Sequence, residues 1–408
     1  MVNGEPFMGK VRAILLLFIA SIVTMGCSRV GFQSVPKQTC SSSNMSADTA
    51  CSVQGQNLQY SFTFQTGQVD ILFVDDNSGS MAHWQAQMAA GFSSLLSQIS
   101  NLNYQIGITT TDISTTVNPV TGQVNPPDQA NGNGAFQDGK LLQYTDTSGN
   151  LATDVNGNPI YYISPSTPNN QDLFAGTIQR EETLYCEENG FQPAFCPSDV
   201  ARGIYAVNDA ITNYQDSNHS GFFRTGAPLA LVMLNDSDEC ETGVSAADCG
   251  SDYVNDEPQT LIQNMNSTFP TKALSVYSIV VPNQQCVQDD TFTYPSGITT
   301  YGIIGTTYIA LSDATSFMGL GNIVPGTVGN ICSTNYSSQL ATIGSMVAQN
   351  NNNSPIQLAC NPQNLSISTQ PASATAQLTY NVDSQNRLTF SNVPNGLTVT
   401  VSYQCSMY

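Results

Sequence analysis

The chain of 408 residues has room for one large α/β domain and one accessory module. It carries 10 Lys+Arg against 30 Asp+Glu, a formal net charge of −20, and shows no basic run beyond the N-terminus. Nucleic acid and anionic lipid surfaces would be repelled by that charge and are poor partner candidates.

Lys10 and Arg12 precede the apolar run Ala13 to Val23, and small residues lead to Gly26-Cys27. This is a secretory signal layout over residues 1–26, with Met8 the more ordinary start, and its apolar stretch is too short and wrongly flanked to span a membrane. Val23-Thr24-Met25-Gly26-Cys27 resembles the lipobox of bacterial lipoproteins, with Thr24 where Leu is usual. The resemblance implies lipidation of Cys27, and Ser28 after it implies the outer membrane of a Gram-negative envelope. Membrane attachment is then expected through that lipid alone.

The 11 cysteines divide into Cys27 and ten others, an even number suited to five disulfides formed outside the cytosol. Spacing suggests Cys40 with Cys51, Cys186 with Cys196, Cys240 with Cys249, Cys286 with Cys332, and Cys360 with Cys405. Sequence alone does not fix that connectivity. There is no C-x-x-C pair, so a zinc-thiolate site is not expected.

Residues 27–56 are rich in Ser, Gln and Asn without apolar periodicity and read as a tether. Residues 57–350 read as an α/β domain. It opens with an edge strand alternating through Tyr60, Phe62 and Phe64, and Val69 to Val74 is the near-continuous apolar run of a strand buried on both faces. Met81, Trp84, Met88, Phe92 and Leu95 then recur at helical spacing, which places a strand-to-helix turn at Asn77 to Ser80. Tyr104 to Thr111 is a second strand, and residues 112–196 are a long insertion rich in Asn, Gly, Pro and Asp. Inside it, Asp154-Val155-Asn156-Gly157-Asn158-Pro159 fits a calcium loop or, more simply, an Asn-Gly hairpin turn. Val200, Ile204, Val207 and Ile211 predict a helix, Leu229 to Leu234 a buried strand, Leu261 to Met265 a helix, and Leu274 to Val281 a strand. Tyr336, Leu340, Ile343 and Val347 predict a last helix.

This alternation implies a Rossmann-like α/β domain, its central, mostly parallel sheet flanked by helices and binding ligands at the carboxyl ends of the strands. After Asn350-Asn351-Asn352-Asn353 the pattern changes. Residues 351–408 alternate in Leu365/Ile367, Leu378/Tyr380, Leu388/Phe390 and Leu397 to Tyr403, predicting a small C-terminal antiparallel β module.

Asp76-Asn77-Ser78-Gly79-Ser80 sits on the predicted strand-to-helix turn. One carboxylate and two hydroxyls on a tight turn offer three hard oxygens to one point, which suits Mg²⁺ or Mn²⁺, with Ca²⁺ an alternative. Gly79 would let the backbone bend, and Asp and Ser also simply cap helices. With Met81, the segment resembles the D-x-S-G-S-M motif of von Willebrand factor type A domains, and the resemblance extends from Val69 to Ala348. The family places a final metal carboxylate after a later buried strand, here Asp236 after Leu231 to Leu234, and a Thr ahead of a helix. Ser198, before Gly203-Ile204, stands at that second place, with a helix cap as its equal reading. Tyr104 to Asp112, Asp236 to Cys240, Ile331-Cys332 and Tyr336-Ser337-Ser338-Gln339-Leu340 are similar to segments of bacterial A-domain lipoproteins with large insertions.

The resemblance thus implies Asp76, Ser78, Ser80, Ser198 and Asp236 as metal ligands, with a partner's acidic side chain filling the open position. Asp75, Asp238, Glu239 and Glu241 are further acids nearby, either raising cation affinity or lying in solvated loops. The expected function is cation-dependent capture of a protein ligand, in adhesion or protein recognition at the cell envelope. An envelope scaffold whose cation only stabilises it is the alternative, and a hydrolytic enzyme comes third. The histidines are His83 and His219 alone, and no phosphate loop, nucleophile elbow or H-E-x-x-H motif occurs, so catalysis is not expected.

Overall fold

The computed structural model describes residues 40, 49–113, 137–191, 197, 200–240, 249, 253–293, 299–317, 319–391 and 393–407. The signal segment, Cys27, Cys196, Ser198 and Glu241 lie outside the described residues. Residues Cys40–Ser406 group into one compact unit. Among the described residues no helix is long and apolar enough to cross a membrane.

The strands are β1 Ala50–Gln54, β2 Asn57–Gln65, β3 Gln68–Asp75, β4 Asn103–Thr110, β5 Tyr162–Ile163, β6 Leu229–Leu234, β7 Leu274–Val280, β8 Phe292–Thr293, β9 Thr299–Thr300, β10 Ile323–Asn330, β11 Ile356–Gln357, β12 Gln363–Gln370, β13 Thr379–Val382, β14 Arg387–Ser391 and β15 Thr398–Ser406. The helices are α1 Ala82–Gln98, α2 Asn170–Ile178, α3 Glu181–Glu188, α4 Gly203–Thr212, α5 Pro258–Thr268, α6 Gln284–Asp289, α7 Thr306–Asp313 and α8 Tyr336–Asn353.

Six strands form the central sheet in the order β10-β7-β6-β3-β4-β5, all parallel except β5, which runs against β4. Counted within this sheet alone, the order is 3-2-1-4-5-6, the doubly wound Rossmann-like arrangement. It reverses between β3 and β6, so the loops leaving those two strands part to opposite faces and open a crevice at their carboxyl ends. Both faces of β3 are apolar because both are covered. Ile71 and Phe73 pack with residues of α1, α2 and α8, while Leu72 and Val74 pack with residues of α4, α5 and α7. Helix α2 belongs to the long insertion, yet its Phe174 stacks on Phe92 at 3.6 Å between ring centres and meets Phe73 edge-on at 4.9 Å. The insertion therefore supplies part of the core.

The charge inside the β3 run, Asp70, is fully buried near the amino end of the strand. Lys272 Nζ and Arg224 Nε each reach its carboxylate at 2.7 Å, and the Arg224 amide donates at 2.9 Å. Burying a carboxylate without such partners would be prohibitive.

The C-terminal alternation forms strands, but the expected boundaries at 57 and 351 do not separate them. β12 and β15 join β1 and β2 in one antiparallel sheet, order β1-β2-β15-β12, while β11, β14 and β13 form another. β2, expected as an edge strand of the α/β domain, lies inside the first sheet, paired with β15 from Asn57↔Ser406 to Gln65↔Thr398. β1 is drawn from the expected tether. The cause is the one-sided alternation itself. Leu58 and Phe62 share a face with Val399, Val401 and Tyr403, and all five are buried. A strand apolar on one side needs an apolar cross-strand neighbour, which here comes from the far end of the chain.

Cys40–Cys51, Cys240–Cys249, Cys286–Cys332 and Cys360–Cys405 are bonded as the spacing suggested. Cys186 is also disulfide-bonded. Such bonds belong to a chain that folds outside the reducing cytosol.

Candidate metal centre

At the end of β3 the Asp76 amide donates to the Leu234 carbonyl at 2.9 Å, which holds this residue against β6. Asp76 Oδ1 then accepts the Ser78 amide at 2.8 Å, curling the chain into a single 3-10 turn, Gly79–Met81, from which α1 continues. The curl brings Ser78 Oγ and Ser80 Oγ to 3.1 Å from each other. On β6 a second turn is closed by Asn235 Oδ1, which accepts the Ser237 amide at 2.9 Å and the Ser237 hydroxyl at 3.0 Å. That turn carries Asp236, whose carboxyl accepts the Ser80 hydroxyl and shares a hydrogen bond with the Asp76 carboxyl. Asp76, Ser78, Ser80 and Asp236 thus converge at the crevice where the sheet order reverses.

The centre is nearly dry, with Asp76 1% exposed and Ser78 and Asp236 5% exposed. Burial pushes Asp236 up to about 6, against the opposing bonds from Ser80 and Asp76. Two neighbouring acids disfavour each other's second ionisation when nothing else neutralises them. Asp75 is fully buried, and burial raises it well above the carboxylate range while the Arg180 guanidinium opposes the shift. Gln85 Nε2 donates at 3.0 Å to both Asp75 Oδ2 and the Asp76 carbonyl. Asp290, just beyond α6, is raised to about 7 by burial and by the charge of Asp236, with the Trp84 indole opposing. Arg180 lies near Asp75 and pairs with Glu182 at 2.7 Å, while Asp76 neighbours both Asp75 and Asp236, and Asp236 neighbours Asp290.

These residues fit a small hard cation. Adjacent oxygens around an ion with bonds of about 2.0–2.1 Å stand about 2.9 Å apart, close to the separation of the two serine hydroxyls. The donors are all oxygen, and two of them are carboxyls that a cation would draw into the ionised form.

Helix α3 lies over the turn. Thr183 Oγ1 donates to the Asn77 carbonyl at 2.7 Å, and Asn77 Nδ2 donates to Glu182 Oε1 at 3.4 Å. A Cβ at Gly79 would stand 2.3 Å from Cys186 Sγ and 2.9 Å from the Phe191 ring. Gly79 is required because the insertion presses against it, and its backbone stays at negative φ; the bend expected from sequence is not the reason.

The other acids have different work. Asp238 accepts the Thr307 amide at 2.9 Å and the Thr306 hydroxyl at the start of α7. Glu239 accepts the Ile204 amide at 3.1 Å and the Tyr205 amide at 3.3 Å at the start of α4, and also the Tyr308 hydroxyl. Both are buried, neither being a solvated loop acid nor bonded to Asp76, Ser78, Ser80 or Asp236. Helix starts expose unsatisfied N–H groups and a partial positive charge, which these carboxylates meet. Cys240, Cys249 and Asp256 also lie together, but the two sulfurs are joined to each other and Asp256 forks onto Arg202 at 2.8 and 2.7 Å. Asp154 Oδ1 accepts the Asn156 and Asn158 amides at 2.8 and 2.9 Å, and Oδ2 accepts Asn158 Nδ2 at 3.0 Å. Its segment is a hairpin turn, with the oxygens turned inward. His83 pairs with Gln87 at 2.8 Å, and His219 lies between the carbonyls of Gly139 and Asn213, burial lowering its pKa. Sequence reasoning missed Asp290. The available signal was an acid soon after the carboxyl end of β7, the rim where such sheets bind ligands.

No family model matches this sequence, and no curated protein matches it. Among solved structures, the chain is similar to a pilus adhesin, SpaC from Lactobacillus rhamnosus GG, at 10% identity and a TM-score of 0.33, covering 88% of this chain and 42% of that one. It is also similar to the human COPII-coat protein Sec24c, at 7% identity and a TM-score of 0.34, covering 84% of this chain and 41% of that one. The chain spans about two-fifths of the length of each.

Proposed function

We propose that this chain is an exported, Cys27-lipidated envelope protein whose central domain, like a von Willebrand factor type A domain, captures a protein ligand through a divalent cation. Asp76, Ser78, Ser80 and Asp236 would hold Mg²⁺ or Mn²⁺, and Ser198 is the candidate for a further hydroxyl. When bound, the ion supplies a concentrated positive charge that accepts a carboxylate from a partner, which the chain's net charge of −20 would otherwise repel. The observation that carries this reading is the convergence of two serine hydroxyls 3.1 Å apart with the neighbouring carboxyls of Asp76 and Asp236 at the point where the sheet order reverses.

The residues of this chain have separable tasks in that function. Ser78 and Ser80 offer neutral oxygens, Asp76 and Asp236 offer charge, and Gln85 holds the Asp76 backbone and Asp75 in place. Capture from envelope and host-surface extracts, with and without chelator and with wild type beside Asp76→Ala, tests the reading. Partner capture lost on chelation and in the variant supports it. The burial of the donors and the cover by α3 favour a second reading, a scaffold whose cation only stabilises the fold. In that case Asp76→Ala lowers stability and leaves capture intact.

A further inference from the structure

A third carboxylate faces the same rim. The amide of Asp290 donates to the Cys286 carbonyl at 2.8 Å, and Cys286 is bonded to Cys332, so the end of α6 is fixed in place. Asp290 Oδ2 is buried and accepts no hydrogen bond from the described residues. Across the Gly302 backbone it lies beside the main chain of Asp236: a Cβ on Gly302 would stand 2.5 Å from Asp290 Oδ2 and 3.3 Å from the Asp236 carbonyl oxygen. The Ile303 amide donates to that same carbonyl at 2.8 Å, which presses the Gly302 loop against Asp236. The Trp84 indole, one helical turn beyond Ser80, also meets the Asp290 carboxyl, leaving Oδ2 the oxygen without a donor.

A buried oxygen without a donor is costly, and a group lying next to the cation donors has an obvious candidate for its missing one. No three acids of the described residues other than the Cys240 group bring ligand atoms within 4.8 Å of one another. Asp76, Asp236 and Asp290 therefore do not all bring an oxygen within 4.8 Å of one another, and a water between Asp290 and the ion would bridge the gap, as carboxylates do around many metal ions. We propose that Asp290 is a positioning residue which accepts a hydrogen bond from a cation-bound water, tightening the hold on the cation and opposing the entry of an acidic partner. This rests on the cation reading of Asp76, Ser78, Ser80 and Asp236. Two carboxylates leave a divalent ion neutral and three leave one negative charge, so an incoming acid is accepted against repulsion that Asp290 creates. Cation affinity and acid affinity are thereby set in opposite directions.

The test is Asp290→Asn on the purified protein, with Asp289→Asn, its exposed neighbour, as control. Mn²⁺ binding is titrated calorimetrically, and acetate binding to the Mn²⁺-loaded protein is then measured. The expected result for Asp290→Asn is Mn²⁺ affinity reduced about 10- to 100-fold with acetate affinity increased, while Asp289→Asn changes neither. A parallel fall of both affinities would reveal a merely structural role and overturn the proposal, as would no change in either. Complete loss of Mn²⁺ binding in Asp290→Asn, with its cation-free melting temperature at or above wild type, would make it a direct ligand and overturn the water-mediated role. Wild type that binds no Mn²⁺ would sink the underlying cation reading as well, a result separate from all of these.

Discussion

Asp236 concentrates the chemistry of the centre in one ionisation. Its carboxyl is raised in the folded chain to about 6, above the unfolded value of about 3.9. In the cation-free protein the unfolded state therefore gives up this proton first as pH rises. The stability that the protonated form contributes is present below about pH 4 and is lost as pH climbs to about 6, a difference on the order of 3 kcal/mol. Asp236→Asn should accordingly raise the melting temperature in chelator at pH 7 and leave it little changed at pH 4. If Asp236 holds a cation as proposed, the ion competes with the same proton, and Mn²⁺ affinity should fall about tenfold per pH unit below pH 6. Calorimetric titrations at pH 5 and pH 7.5 that give equal affinities would contradict both the raised carboxyl and its proposed role as a ligand. Asp238 and Glu239 carry the opposite lesson. The acidic run is plain in the sequence, but only the approach of two distant helix starts assigns those carboxylates to capping.

Among the elements, the seating of α3 on the turn after β3 depends on the missing side chain at Gly79. Gly79→Ala places a carbon where Cys186 and Phe191 already are, and we expect a loss of about 1–3 kcal/mol with faster amide exchange across Glu181–Glu188. Unchanged exchange there would mean that the helix is not held by this contact. At the amino end of β3, Lys272→Met removes one of the two cations on buried Asp70. Breaking such a pair costs about 3–5 kcal/mol, to be read from denaturant unfolding. The insertion's helices were hidden in sequence because their apolar residues, Leu173, Phe174 and Ile178 among them, are spread through a stretch otherwise rich in turn formers.

For the molecule as a whole, the pairing of β2 with β15 joins the two ends of the described chain into one sheet. The Cys360–Cys405 bond closes a loop of 45 residues within this region. Replacing both cysteines by alanine should cost about 4 kcal/mol by the chain-entropy account and lower the melting temperature. Equal melting of the variant and the parent would show that the strand pairing suffices without the bond.

Amphipathic period and turn chemistry are local, so the sequence by itself determined the strands at Val69–Val74, Leu229–Leu234 and Leu274–Val281, most of the helices covering them, and the turn that bears Asp76, Ser78 and Ser80. Asp236 was legible through resemblance, since its place follows a recognisable buried strand. Which strands share a sheet is decided by apolar faces meeting across hundreds of residues, and that depends on no local pattern. For the same reason only the tertiary structure put β1 and β2 beside β15, laid α3 over Gly79, and set Asp290 beside Asp236. Burial and proximity, which fix the charge state of every acid at this centre, are properties of the folded chain alone.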